Sequence, residues 1–153
     1  MSPKPYAVVR RITVHAEPSV VHERINDFHN WMAWSPWEGL DPARKRSFSG
    51  PESGVGAAYS WSGNRKAGAG SMTITKSSEQ AINIDLTFDR PFPAEDQLEF
   101  KFAPVLGGTE VTWTLHGELE GFMKIASLVW PMDKLLGPDF ERGLARLKAV
   151  VEA

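Results

Sequence analysis

Cysteine is absent from the 153 residues, which excludes disulfides, thiolate metal sites and a cysteine nucleophile and fits a reducing compartment. No apolar run approaches the roughly 18 residues of a membrane span. The longest candidate, Ile125 to Met132, is short and carries Ser127 and Pro131. The opening MSPKPYAVVRRITV has prolines and charges where a secretion signal needs an apolar run and a small-residue cleavage site. Neither sign of charge is in excess: 17 Lys and Arg against 19 Asp and Glu leave a net charge of −2, which gives no global attraction to nucleic acid or anionic lipid. No Gly-x-Ser-x-Gly elbow occurs. The glycines at 54, 56, 63, 68 and 70 lack the strand, lysine and helix of a phosphate loop. These absences predict a soluble cytoplasmic protein with no nucleic-acid partner and no stable membrane insertion.

What is present is an ordinary apolar fraction, 42%, in a chain of one-domain length. We read residues 1–153 as a single α+β domain. Its clearest stretch is Met132 to Glu152, where Leu136, Phe140, Leu144, Leu147 and Val151 recur at steps of four, four, three and four and so share one helical face. Gly137-Pro138 should kink this helix or restart it, since Pro138 cannot donate to the carbonyl four residues back. Upstream segments alternate in steps of two, as strands do. Tyr6 to His15 reads as a first strand, with Arg10 a polar mismatch on its apolar face that belongs near the sheet's end. Pro18 opens a helix with Val21, Ile25 and Phe28 as its buried stripe. The loop FHNWMAWSPWEGLDP follows, with Trp31, Trp34 and Trp37 on a short helical turn that either gates a cavity or plugs the sheet's open end. Strands are then expected at Lys45 to Ser49, Ala57 to Ser62, Ser71 to Lys76, Ala81 to Asp89, Gln97 to Ala103 and Thr109 to His116. Phe122 with Ile125, Leu128 and Val129 suggests a short amphipathic helix before the last one.

The inward-reading aromatics carry the main functional signal. Tyr59, Trp61, Met72, Phe88, Phe102, Trp113, Leu136 and Phe140 would face the space between sheet and helix, as core packing or as the wall of a ligand cavity. Six tryptophans suit an apolar ligand with one polar end. Arg90 either holds a ligand carboxylate at the rim or pairs with Asp89. The histidines lack metal-site spacing: His22 and His29 have no third ligand beside them, and all four imidazoles are expected to face solvent. Glu38, Asp41, Asp89, Glu95 and Glu118 are read as solvated unless one reaches the cavity as an acid or base. Arg44-Lys45-Arg46 reads as a solvated edge strand whose charge deters pairing.

The order strand, short helices, about six antiparallel strands and a long helix, with FHNWMAWSPWEGLDP and MDKLLGPDFERGLARLKAVVE, resembles the polyketide cyclase/dehydrase and lipid-transport-like proteins of the SRPBCC superfamily over essentially the whole chain. The resemblance implies a helix-grip fold: a curved antiparallel sheet wrapped around a long C-terminal helix, with two short helices after the first strand and an apolar cavity inside. It implies binding of a hydrophobic, lipid- or polyketide-like small molecule as carrier or sensor, without a cofactor. Cyclase- or dehydratase-type catalysis through a cavity carboxylate or histidine is the alternative, and a protein-binding module a third. A monomer or weak homodimer is expected. Fold likeness does not assign activity.

Overall fold

Alternating side chains become seven strands in the computed structural model, which describes residues 4–38, 43–65, 68–90, 93–119 and 132–153. β1 (Lys4–Val14) is followed by helix α1 (Pro18–Asn26) and a 3-10 turn (Phe28–Ala33). Then come β2 (Lys45–Ser49), β3 (Ala58–Ser62), β4 (Ala69–Ser77), β5 (Ala81–Arg90), β6 (Ala94–Val105) and β7 (Gly108–Leu119). Helix α2 (Met132–Glu152) completes the order. The strands form one antiparallel sheet in the order β1-β7-β6-β5-β4-β3-β2. The six strands expected after the short helices are all present; the predicted amphipathic helix around Ile125–Val129 lies outside the described residues.

The core forms where the inward faces of β5, β6 and β7 are covered by α1, the 3-10 turn and α2, with α2 running along β1 and reaching β7. Register places Ile82 opposite Phe100, Ile84 opposite Leu98, and Phe100 opposite Trp113. Trp113 is the centre of this layer. Its ring lies 4.0 Å from that of Phe140 on α2, with the planes 8° apart, and 4.9 Å from Phe100. Gly143 lets the helix come this close, because a Cβ there would stand 3.0 Å from the Trp113 ring and 2.8 Å from Pro36. Phe140, Leu144 and Leu147 are buried, as their spacing predicted.

Helix α2 runs from Met132 to Glu152 through Pro138, so it does not restart there. The carbonyl left without its partner is that of Lys134, in the exposed first turn, where it is open to solvent. Arg10 lies on β1, the outermost strand at one end of the sheet, opposite Trp113 and midway along the strand. Its guanidinium reaches across to the first turns of α2, donates to the Asp133 carboxylate at 2.8 and 3.0 Å, and lies over Gly137, where a Cβ would meet it at 2.0 Å. The long apolar stem stays on the inward face while the charge leaves it.

Candidate functional site

A cavity of about 230 Å³ lies beside this core, between the 3-10 turn, the β3–β5 end of the sheet and the start of α2. Most of its wall is apolar. The 3-10 turn contributes Phe28, Trp31 and Met32, and the following loop Trp37. The sheet contributes Tyr59, Trp61, Met72, Leu86, Phe88 and Leu115, and α2 contributes Leu136. Trp31 is fixed by its indole N–H donating to the Ile25 carbonyl at 2.9 Å, one of the carbonyls that the end of α1 leaves without a helical partner. Trp61 lies flat because it stands opposite Gly70 on β4: a Cβ at residue 70 would be 2.7 Å from the ring and 2.3 Å from the Thr87 carbonyl oxygen. The Trp61 ring also runs nearly parallel to Tyr59 at 6.1 Å and meets Phe88 edge-on at 6.0 Å.

One corner of the cavity is polar, where Arg44 and Glu38 meet; Ser35 and Asp139 are the other polar residues of its wall. The Arg44 side chain is only 4% exposed. It donates to the Trp37 carbonyl at 3.2 Å and to one Glu38 carboxylate oxygen, while Arg46 donates to the other oxygen at 2.6 Å. Arg44 Nε and the Tyr59 hydroxyl are buried and make no well-formed hydrogen bond among the described residues. A buried donor left so costs about 1–3 kcal/mol. The Tyr59 phenol is shifted up, first by burial, with the Arg44, Glu38 and Arg46 charges acting on it in both directions. Asp139 is paired with Arg142 one turn on.

The structure brings together Trp31, Tyr59, Trp61, Met72, Phe88 and Leu136 of the predicted site, and leaves five residues outside it. Trp34 is fully buried, edge-on to Trp113 and Phe100, with its indole N–H on the Arg24 carbonyl, so it plugs the core while Trp31 and Trp37 line the cavity. Trp113 and Phe140 stack on each other as core. Phe102 packs near the other end of β6 against the His22 ring. Arg90 is exposed and donates to the Ser62 hydroxyl and the Gly63 carbonyl, tying the β3–β4 turn and meeting neither a cavity nor Asp89.

Other polar expectations also change. Glu38 is drawn in by its two arginines and is not solvated, and Arg44 is buried although it belongs to a basic run. Asp41 lies outside the described residues. His22 is half-buried, bonded to the Ser77 hydroxyl at 3.2 Å, and its imidazole is shifted down mainly by burial. His29 is exposed, stacks on Phe48 and contacts Asp27. Among the described residues no three His, Asp or Glu side chains are grouped to hold a metal ion. Sequence reading also missed Asp96. β6 begins at Ala94, three residues before the expected start, which puts Asp96 on the inward face two residues from Leu98. Its carboxylate accepts from the Tyr6 hydroxyl at 3.0 Å and is shifted up by burial, against the lowering effect of that bond. This pair lies outside the cavity, past Leu86.

A curved seven-stranded sheet holding a C-terminal helix is the helix-grip fold. The chain belongs to the polyketide cyclase / dehydrase and lipid transport family, whose model matches residues 6–152. Solved structures agree in fold. A protein of unknown function, SA2116 from Staphylococcus aureus, is 13% identical with a TM-score of 0.73, covering 99% of this chain and 96% of its own. Ara h 8.0201 is 13% identical with a TM-score of 0.61, over 96% and 97% of the two chains. DynU16, from the dynemicin biosynthetic locus, is 15% identical with a TM-score of 0.63, over 96% of this chain and 47% of that one. At such identities the likeness is one of fold alone. No curated protein matches the sequence. Among the described residues no helix is long and apolar enough to cross a membrane.

Proposed function

We propose that the protein binds a small, mostly apolar molecule in the cavity beside Trp61 and acts as a carrier or sensor. The observation that carries this reading is the composition of the wall: aromatic and aliphatic side chains from the sheet, the 3-10 turn and α2, with a few polar residues, Arg44, Glu38, Ser35 and Asp139, among them. That is the make-up of small-molecule sites, where apolar area supplies affinity and a few polar groups fix orientation. At about 230 Å³ the space is smaller than the roughly 300–1,000 Å³ of sites for drug-sized ligands and suits a body of one or two rings better than a long acyl chain. The open space argues against a protein-binding module with a filled interior.

6-Propionyl-2-(dimethylamino)naphthalene, a neutral two-ring dye that brightens in apolar surroundings, tests the reading. It should bind once per chain, and Trp61→Ala, which removes one wall, should weaken it about tenfold while the fold persists. Absence of enhancement, or an unchanged affinity in the folded variant, would refute the assignment.

A cyclase- or dehydratase-type enzyme is favoured by one observation, the Asp96–Tyr6 pair, since a buried acid with a raised pKa is what general acid catalysis requires. It ranks second because that pair does not border the apolar cavity.

A further inference from the structure

We infer that the ligand carries a single carboxylate on its apolar body, and that Arg44 and the Tyr59 hydroxyl read it. This rests on the binding function proposed above and names the class of molecule the same cavity takes.

Charge at the polar corner is unbalanced in one direction. Glu38 meets two guanidiniums, those of Arg44 and Arg46, so the three groups together carry one positive charge. The other acid on the wall, Asp139, is already paired with Arg142. Among the described residues a cationic ligand therefore finds no unpaired carboxylate there, and a neutral one leaves the surplus positive charge, shared between buried Arg44 and part-exposed Arg46, without a counterion. A carboxylate compensates it.

The donors point to the same chemistry. Arg44 is a cavity-lining side chain more than nine-tenths buried, and its Nε–H has no partner among the described residues although its terminal nitrogens are both engaged. The Tyr59 hydroxyl lies near the Arg46 guanidinium, is buried on the same wall and also lacks a well-formed bond. Its raised pKa keeps it protonated, and so a donor, at neutral pH. Neither donor is bonded to Glu38, whose two oxygens accept from a terminal nitrogen of Arg44 and from Arg46. A guanidinium N–H and a phenol O–H on one cavity wall can both donate to a carboxylate, which is a strong, charge-assisted arrangement. Trp61 and Phe88, farther along the wall, would hold the ring system.

Isothermal titration calorimetry with three ligands of one shape separates the possibilities: 2-naphthoate, 2-naphthamide and 2-naphthylmethylammonium. The intact protein should bind naphthoate at least about tenfold more tightly than the amide, and the ammonium ligand most weakly. Tyr59→Phe removes one oxygen and should narrow the acid-over-amide ratio several-fold. Arg44→Lys, which keeps the charge and loses Nε, should narrow it further. Circular dichroism checks that each variant is folded, and Tyr59→Phe keeps the test open if the arginine variant is not. Equal binding of all three ligands would overturn the carboxylate assignment and leave the cavity function standing. Preference for the ammonium ligand, or an acid preference that survives both substitutions, would overturn it as well. No binding by any of the three, together with no dye enhancement, would remove both.

Discussion

Truncating Phe140 and truncating Trp61 should produce opposite phenotypes, because one side chain is core and the other is wall. Phe140 is fully buried with its ring 4.0 Å from Trp113, so Phe140→Ala loses the transfer of the ring from water, the face-to-face contact and the packing of the space left behind. Such substitutions cost about 3–5 kcal/mol. The stacked contact places this one near the middle, at about 4 kcal/mol. For a domain of this size each kcal/mol lowers the midpoint of thermal unfolding by roughly 2–4 °C, so a drop of about 8–16 °C is expected. Trp61 is half-buried, packs on Tyr59 and Phe88, and lines the cavity. Its truncation should cost about 1–2 kcal/mol and fall mainly on ligand affinity. Urea unfolding followed by circular dichroism measures both stabilities, provided the dependence on urea is unchanged. A Phe140→Ala variant that loses less than about 1 kcal/mol would refute the packing of α2 on Trp113. One that keeps its stability and loses only the ligand would return Phe140 to the binding site.

Three further outcomes follow from other parts of the fold. Gly70→Ala should destabilise by about 1–3 kcal/mol and reduce dye binding, since the new methyl meets the Thr87 carbonyl and pushes Trp61 off its seat; urea midpoints and a dye titration read the two effects. Asp96→Asn should raise stability at pH 7. Burial lifts the native Asp96 carboxyl above its ordinary value, so between those two values the native state holds a proton that the unfolded chain has released, and stability falls as pH rises through that window. The amide introduced by that substitution would keep an acceptor for Tyr6 without the charge, and urea midpoints measured from pH 4 to 7 should show a shallower fall than the parent protein. Arg44→Met should cost about 2 kcal/mol, below the roughly 3–5 kcal/mol of a fully buried pair because Arg46 still holds Glu38, and adding Glu38→Gln should recover most of it. A double-mutant cycle without coupling would contradict that ion-pair geometry.

The sheet and the last helix were legible because their burial follows simple periods. Ile82, Ile84 and Leu86, then Leu98, Phe100 and Phe102, then Val111, Trp113 and Leu115, face inward as alternation requires. Periodicity says that a side chain points in, however, and not what it meets there. Trp113 and Trp61 both read as inward aromatics, yet α2 lands on the first and leaves space beside the second. Leu86 and Leu115 were identifiable as inward and became wall for the same reason. Arg44 gave no local signal at all. Its burial depends on Glu38 and the Trp37 carbonyl, reached across a loop rich in proline and glycine, so a residue that reads as surface charge becomes part of the cavity. Asp96 was hidden by the proline-rich link before β6, which made the strand's start look later than it is.

Methionine methyl groups give the most direct test of the cavity. Of the five methionines, Met72 and Met32 line it, and Met132, though on α2, does not. In a protein carrying 13C at the methionine methyls, titration with 2-naphthoate should move the Met72 and Met32 signals through the ring current of the bound ligand and leave Met132 in place. If the ligand leaves Met72 and Met32 unmoved at saturation, or moves only Met132, the site is not the cavity beside Trp61.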